Sequence, residues 1–306
     1  MTLGIKVGLQ RQSFLDLAQT NAPFAEVWFN VNRADDYGEL FAELKRRRCQ
    51  VGLHFWGALA DGTWTNLDYP DATLINESLS MIKKTVDIAA QNGFQYVNIH
   101  PGCAARVAIY FETTRMELQS GPIPFLDAIP RFVQHARTLH EYAAGRGIVF
   151  TVETVPSRVV IGWYDEKARN DPKKIMNVYE LPIEAIEAAA QAELWIANDF
   201  NHTAAIPDKD RTRIWRHLRE KTTALAAQTR LIHLGFLTTP FNGTDVHTTL
   251  DNPLLTTNQA IPNKKEMIEL LKLFRGRHDV WILTEPNDRH AQNYVLAQHI
   301  LTQALG

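Results

Sequence analysis

The 306-residue sequence has little cysteine, no strong charge of one sign and no long apolar run. Its two cysteines, Cys49 and Cys103, form no spaced pair, and residues 1–10 lack the apolar core of a signal peptide, so we expect a reduced, cytoplasmic protein. No apolar stretch reaches membrane-spanning length, which predicts no membrane partner. The formal charge of -2 provides no global basic field for nucleic acid, although it leaves a local basic groove open.

A glycine-rich phosphate loop is also missing. The first predicted strand leads into Gln10-Arg11-Gln12-Ser13, which argues against an open doubly wound sheet that binds a nucleotide at its first turn. The chain shows instead an alternation of short apolar runs with helical patterns from end to end. Eight strands alternating with eight helices, without a split in composition, predict one α/β domain over residues 1–306, a parallel (β/α)8 TIM barrel.

The predicted elements follow the spacing of the apolar residues. The strands span residues 4–10, 25–31, 50–55, 94–100, 148–152, 194–199, 231–236 and 280–284. The helices span residues 13–19, 37–48, 72–92, 126–144, 183–192, 211–226, 264–274 and 289–304. The longest connection runs over residues 157–181, and loops of this length in compact domains are usually lids or binding loops.

Histidine and carboxylate residues stand at or just after the ends of the predicted strands, where the active site of such a barrel lies. They are His54, His100, Glu153, Asp199, His202, His233, Asp245, His247 and Glu285. A carboxylate that ends an apolar strand must be paired, hydrogen-bonded or bound to a metal, because stripping its water is otherwise costly. Nitrogen and carboxylate ligands without thiolate suit zinc, manganese or iron, so the set predicts a multinuclear metal site.

Each of these residues also has a plainer interpretation. His54 and His100 could be core histidines bonded to a carbonyl. Asp199 could cap a helix beside an exposed His202 ring. Asp245 with the following histidine could be ordinary turn chemistry. The coincidence of all of them at strand ends favours a common site over separate structural roles.

The same residues resemble the motifs of a known family. The motifs are Asn98-Ile99-His100-Pro101-Gly102, Glu153-Thr154, Asp199-Phe200-Asn201-His202, Ile232-His233-Leu234, Asp245-Val246-His247 and Leu283-Thr284-Glu285. Together they resemble the endonuclease IV branch, or AP endonuclease family 2, of the xylose-isomerase-like TIM barrels. The resemblance spans roughly residues 54–285, and its specificity lies in the full ligand set.

The resemblance implies up to three divalent metals, usually zinc, with manganese or magnesium also possible. The first metal would bind His54, His100 and Glu153. The second would share Glu153 and add Asp199, His233 and Glu285. The third would bind His202, Asp245 and His247. In that family such a cluster cleaves a phosphodiester in damaged DNA beside an abasic site, and two close cations lower the pKa of a shared water and neutralise developing charge.

Three loops depart from the family pattern. The family has a histidine-containing strand followed by a glycine-rich turn, and residues 7–12 stand at that place here. The family also has a Gly-Glu-Gly element, and residues 248–253 stand at that place here. The segment 157–181 has no counterpart in the family. Since these loops would contact DNA, the resemblance supports the metal core more strongly than the substrate, which could be a phosphorylated small molecule, a sugar or damaged DNA.

A sugar or sugar-phosphate isomerase or epimerase of the same superfamily is the alternative. It needs one metal, held here by Glu153, Asp199, His233 and Glu285. Glu153 and Glu285 would then exchange a substrate proton as an acid–base pair. That mechanism requires none of His54, His100, His202, Asp245 and His247, so we favour the hydrolase. A metal-binding module without activity, whose long loop engages a partner protein, is a third option.

Several cations and aromatic residues near the predicted mouth are candidate substrate contacts. The candidates for holding phosphate are Arg33, Arg106 and Arg158, together with Arg169, Lys173 and Lys174 of the long loop. The candidates for stacking on a base or sugar ring are Trp56, Trp64, Trp163 and Tyr164. Each could equally be a solvated charge or a ring that packs a loop on the barrel rim, and nothing in the sequence indicates an oligomeric state.

Overall fold

Eight parallel strands close into a barrel in the computed structural model, which describes residues 1–162 and 166–306. The strands are β1 (Thr2–Val7), β2 (Phe24–Asn30), β3 (Gln50–Trp56), β4 (Tyr96–Ile99), β5 (Val149–Glu153), β6 (Trp195–Asp199), β7 (Thr229–His233) and β8 (Trp281–Leu283). Each strand pairs with its neighbours in chain order, and β8 closes on β1. The predicted (β/α)8 TIM barrel is therefore confirmed.

Helices fill the connections between the strands. They are α1 (Arg11–Thr20), α2 (Gly38–Arg46), α3 (Ala72–Asn92), α4 (Phe125–Ala144), α5 (Ile183–Gln191), α6 (Phe200–Ala204), α7 (Arg211–Leu225), α8 (Lys264–Lys272) and α9 (His290–Leu305). The short helix α6 is an addition to the predicted elements. Within the described ranges, no helix combines the length and apolar character that a membrane crossing needs.

Local sequence signals explain several of these boundaries. Helix α3 begins after Asp71, whose side chain accepts hydrogen bonds from the backbone N–H groups of Thr73 and Leu74. It ends at Gly93, which adopts a left-handed φ of 70°. The predicted strands 4–10 and 231–236 are too long, because β1 ends at Val7 and β7 ends at His233, and the chain turns off the barrel after each.

The connection between β5 and α5 carries small elements of its own. Residues Val159–Val160 and Ile175–Met176 pair as an antiparallel hairpin. The buried Arg169 side chain donates to the backbone carbonyls of Thr238 and Pro240 at 2.9 and 3.1 Å. Arg169 therefore fastens this connection to the loop after β7 through these contacts.

The barrel interior is layered. At the N-terminal end of the strands, Phe24 and Tyr96 fill the barrel because Gly4 and Gly52 leave room for their rings. A Cβ at Gly4 would lie 1.9 Å from the Phe24 ring, and one at Gly52 would lie 2.0 Å from the Tyr96 ring. Polar and charged side chains lie nearer the C-terminal ends of the strands, so the apolar layer forms the floor of a polar mouth.

Candidate metal centre

The structure brings the predicted ligands together at the C-terminal mouth of the barrel. They are His54, His100, Glu153, Asp199, His202, His233, Asp245, His247 and Glu285. The most exposed of them, His247, has 24% of its side chain accessible, while Glu153 is fully buried. Two of the plainer alternatives are thereby weakened, because His202 is a buried ring and Asp245 does more than shape a turn.

Four of the residues form one compact ligand group around His233. The group comprises Glu153, Asp199, His233 and Glu285, whose ligand atoms lie within 4.8 Å of one another. His233 Nδ1 is 3.0 Å from Glu153 Oε1 and 3.2 Å from Glu285 Oε2. Asp199 caps α6 with Oδ1, which accepts from two backbone N–H groups at 2.7 and 3.0 Å. Its Oδ2 lies 3.7 Å from His233 Nδ1, so the helix cap and a place in the ligand group are compatible.

Glu26 of β2 holds the opposite side of the His233 ring. Its Oε1 lies 3.1 Å from His233 Nε2, and the Tyr96 hydroxyl donates to its Oε2 at 2.6 Å. A carboxylate at the second ring nitrogen fixes the tautomer of a metal-binding histidine, which here leaves Nδ1 as the ligand atom. Our sequence reasoning missed Glu26 because it lies inside a strand, although an isolated charge in an apolar strand is a usable signal.

His202, Asp245 and His247 form a second group beside the first. His202 Nε2 and His247 Nε2 lie 3.3 and 2.6 Å from Asp245 Oδ2. The Nδ1 atom of each ring faces a backbone carbonyl at 2.8 Å, that of Thr154 for His202 and that of Glu285 for His247. A carbonyl only accepts, so the Nδ1 atoms carry hydrogen and the Nε2 atoms are the ones that could bind a metal.

The two groups share one cleft. His202 Nδ1 also lies 3.3 Å from Glu153 Oε1 and 3.6 Å from Asp199 Oδ2. The cleft is lined by residues of both groups, among them Asp199, His233, His247 and Glu285. A molecule that enters the mouth would therefore meet both groups at once.

His54 and His100 approach Glu153 from the other side. His54 Nε2 lies 3.3 Å from Glu153 Oε2, and His100 Nε2 lies 3.8 Å from Glu153 Oε1. Over residues 1–162 and 166–306, neither ring nitrogen of His100 has a hydrogen-bond partner. Glu180, from the end of the long connection, lies 3.7 Å from His100 Nδ1. The sequence does not reveal Glu180 as a member of the site, because only the folded loop brings it to the mouth.

An ammonium group, that of Lys6 in β1, lies among these residues. Its Nζ contacts Glu26 Oε1 at 2.5 Å and His54 Nδ1 at 2.6 Å, and it donates to Glu285 Oε1. Glu26, His54, His233 and Glu285 also have ligand atoms within 4.8 Å of one another. Lys6 thus touches three members of a possible ligand group that the sequence motifs did not indicate.

Charge pairing dominates the ionisation of the site. Burial would lower the pKa of His233, but the surrounding carboxylates outweigh it and raise that pKa well above its ordinary value. Burial likewise opposes the charge on Glu285, yet His233 and Lys6 hold its pKa well below the ordinary range. For His247, the nearby Asp245 carboxylate overcomes burial and raises the pKa to about 9.

The predicted substrate-binding arginines lie around the rim and have local partners. Arg33 is 62% exposed in its side chain and pairs with Asp36 at 2.7 Å. Arg106 pairs with two carboxylates, those of Asp61 and Asp71, at 3.1 and 3.0 Å. Arg158 contacts a backbone carbonyl at 3.4 Å. Their role in binding substrate stays a prediction.

Trp56 lies at the wall of the mouth. Its ring centroid is 4.9 Å from that of His100 and 5.7 Å from that of His54. It also stacks on Trp64 at 5.7 Å with an angle of 6° between the ring planes. Trp56 therefore contacts two of the predicted ligands while packing against Trp64. The other predicted stacking residues, Trp163 and Tyr164, lie outside the described residues.

Comparisons with known proteins show similarity in structure. No protein-family model matches the chain, and a comparison with curated protein sequences finds no match. A D-tagatose 3-epimerase-like protein is 15% identical, with a TM-score of 0.64 over 99% of this chain and 98% of that chain. An L-ribulose 3-epimerase is 12% identical, with a TM-score of 0.62 over 99% and 95%. Endonuclease IV from Thermus thermophilus is 13% identical, with a TM-score of 0.57 over 99% and 100%.

These neighbours include both enzyme classes that the sequence motifs left in competition, and at such low identity they establish the fold. By their descriptions, one neighbour is an epimerase, one is epimerase-like and one is an endonuclease. Buried histidine and carboxylate groups that could bind metal accompany that fold in this chain. The chain therefore has the closed (β/α)8 barrel fold that these epimerase and endonuclease IV structures also have.

Proposed function

We propose that this protein is a metal-dependent phosphoester hydrolase of the endonuclease IV type that uses more than one divalent metal ion. The observation that carries the proposal is the group of His202, Asp245 and His247. In each of the two histidines, Nδ1 faces a backbone carbonyl and Nε2 faces the Asp245 carboxylate. An epimerase needs a single metal, which the group around His233 could hold alone, so a second prepared group favours multinuclear chemistry.

The chemistry of the ligands supports zinc as the metal, with manganese or magnesium as alternatives. Imidazole and carboxylate groups suit zinc, and Glu26 and the backbone carbonyls orient the imidazoles from behind. Bound divalent cations would polarise a phosphoryl group and lower the pKa of an attacking water. Asn98 donates to Glu153 Oε2 and so orients the carboxylate that lies between the ligand groups.

The state of Glu285 further favours hydrolysis over proton exchange at carbon. Lys6 donates to Glu285 Oε1, and the pKa of Glu285 lies well below its ordinary range because His233 and Lys6 outweigh the effect of burial. A carboxylate held ionised in this way is a better metal ligand than a base that must take up a substrate proton. The substrate we propose is a phosphodiester, in damaged DNA or in a smaller phosphorylated molecule.

A sugar or sugar-phosphate epimerase is the second candidate. One specific observation favours it: Glu153, Asp199, His233 and Glu285 form a complete ligand group without any other residue. Several structural neighbours, including two of the three given above, are also described as epimerases or epimerase-like. On this alternative, Glu153 and Glu285 would exchange the proton and the second histidine group would be dispensable. On either proposal the free thiols of Cys49 and Cys103 suit a reduced, cytoplasmic setting.

The two candidates can be separated with zinc-loaded and manganese-loaded protein. We expect cleavage of bis(p-nitrophenyl) phosphate or of a duplex with a single abasic site. The competing assay follows exchange of solvent deuterium into D-fructose by NMR. Deuterium exchange without phosphodiester cleavage, unaffected by His247→Ala, would replace the hydrolase with the epimerase. The exposed His278 provides the matched His278→Ala control.

A further inference from the structure

The position of Lys6 leads to an inference that rests on the proposed function and refines it. We propose that the Lys6 ammonium is a built-in cation of the centre, which takes the place of a metal ion on the His54 side. The centre would then combine metals at the His233 group and the Asp245 group with one permanent positive charge supplied by β1.

Lys6 occupies the position that a metal ion on the His54 side would need. Lys6 Nζ lies 2.5 Å from Glu26 Oε1 and 2.6 Å from His54 Nδ1, and it also contacts Glu285 Oε1. These three contacts are to residues of the ligand group that Glu26, His54, His233 and Glu285 form. A zinc ion would need to approach the same atoms to about 2.0–2.2 Å. The ammonium and a metal therefore exclude each other from this group.

Lys6 also determines the tautomer of His54. An ammonium can only donate, so His54 Nδ1 accepts from Lys6 and the hydrogen of the neutral ring resides on Nε2. Nε2 is the atom that faces Glu153 Oε2 at 3.3 Å and that would bind a metal shared with His100. A metal on Nε2 would require the ring hydrogen to lie on Nδ1, where it would face the Lys6 ammonium, so Lys6 also disfavours a metal on His54, His100 and Glu153.

Contrast with the other histidines supports this reasoning. The Nδ1 atoms of His202 and His247 face carbonyls, which accept hydrogen and leave Nε2 available. His233 has its Nε2 on the Glu26 carboxylate, which leaves Nδ1 available. Lys6 gives His54 the opposite arrangement, with a donor behind the ring. The geometry thus assigns His54 to the ammonium and the rings of His202, His233 and His247 to metals.

A consequence for Glu285 follows from its two oxygens. Oε1 receives the Lys6 ammonium, whereas Oε2 lies 3.2 Å from His233 Nδ1 in the neighbouring ligand group. Lys6 can therefore stay in place when the His233 group binds a metal. The fixed charge would lie one carboxylate away from that metal, and we assign Lys6 as a positioning residue for Glu285 and His54.

Zinc stoichiometry tests the proposal. The wild-type chain, Lys6→Met and the control Lys221→Met are dialysed against zinc chloride and their zinc content is measured by elemental analysis. Lys221 lies on α7 and pairs with Glu187 at 2.8 Å. Its substitution therefore removes an ammonium group and an ion pair that are not at the mouth of the barrel. We expect Lys6→Met to bind about one more zinc ion per chain than the wild type, and the control to match the wild type.

Adding His54→Ala to Lys6→Met should return the zinc content to the wild-type value, which would locate the additional ion at His54. An unchanged or lower zinc content in Lys6→Met would overturn the proposal. A wild-type chain that binds fewer than two ions would instead contradict the proposed function, while a gain in Lys6→Met would still support the role of Lys6.

A measurement on the wild type covers the case in which Lys6→Met does not fold. Long-range 1H–15N spectra of the histidine rings report which nitrogen carries hydrogen. We expect His54 to keep its hydrogen on Nε2 when zinc is saturating. A zinc-saturated His54 with Nε2 bound to metal and hydrogen on Nδ1 would overturn the proposal.

Discussion

The two sides of Glu153 obtain their positive charge from different sources. Towards β1 and β2, Lys6 lies between Glu26 and Glu285 and supplies an ammonium from the chain itself. Towards α6 and the loop after β7, imidazoles surround Asp245 with their Nδ1 atoms held by backbone carbonyls. On our proposal, the first side needs no metal, whereas the second would bind one.

This difference shows that ligand type alone does not identify a metal site in such a barrel. Both sides contain histidines and carboxylates in close contact. What separates them is the group behind each imidazole: a carbonyl or carboxylate accepts hydrogen and prepares a metal-binding nitrogen, while an ammonium does the reverse. Each prediction below tests this contrast.

The largest effect is expected at the carboxylate that both sides share. Glu153→Gln removes an anionic ligand at the junction, so phosphodiester cleavage should fall by more than about 100-fold, the upper end of the loss that residues supporting a ligand usually cause. The measurements are kcat/KM with bis(p-nitrophenyl) phosphate and zinc content. The Glu187→Gln variant, on α5, is the control. Full activity in Glu153→Gln would contradict a metal centre in which both groups share Glu153.

The second prediction addresses the side prepared for metal. His247→Ala removes one of the two Nε2 atoms that face Asp245, and we expect the loss of about one zinc ion per chain together with most of the phosphodiesterase activity. Elemental analysis and kinetics with the His278→Ala control measure this. A variant that retains its zinc and its activity would show that this group is structural.

The third prediction concerns the carboxylate behind His233. Glu26→Gln keeps the size of the side chain but weakens the acceptor at His233 Nε2, so zinc affinity should fall by roughly 10–100-fold. Competition with a fluorescent zinc chelator measures the affinity, and exposed Glu39→Gln is the control. Equal zinc affinity in the two variants would mean that Glu26 does not support zinc binding at His233 and that its role is limited to its contacts with Lys6 and Tyr96.

The smallest expected effect is the pH dependence of zinc binding. In the metal-free protein, Asp245 outweighs burial and raises the pKa of His247 to about 9, so the ring is protonated at neutral pH. Zinc must displace that proton, and the apparent affinity should therefore rise as the pH increases from 7 towards 9. Calorimetry in buffers of different ionisation enthalpy counts the released protons, and a count that His247→Ala leaves unchanged would contradict this assignment.

The sequence predicts the barrel and the convergence of its polar strand ends well, for physical reasons. Strands and helices alternate with clear periodicity, and the C-terminal ends of parallel strands in a closed barrel must meet at one mouth. A carboxylate such as Glu153, directly after an apolar strand, needs partners there. This reasoning brings His54, His100 and His233 to the same place without any knowledge of side-chain geometry.

Three residues of the site escape such reasoning. Lys6 and Glu26 lie within strands, and whether their side chains enter the barrel depends on register, which the sequence pattern does not determine at a strand with buried residues on both faces. Glu180 reaches His100 only through the folded connection between β5 and α5. The tautomer of His54 depends on Lys6, so it could not be inferred before the two were seen in contact.

Zinc content per wild-type chain tests the central claim most directly. The protein is purified without chelator, dialysed against zinc chloride and measured by elemental analysis. Metals at the His233 group and at the Asp245 group, with Lys6 in place of a third, predict about two zinc ions per chain. A single ion would contradict the multinuclear centre and leave the sugar epimerase as the better account of this barrel.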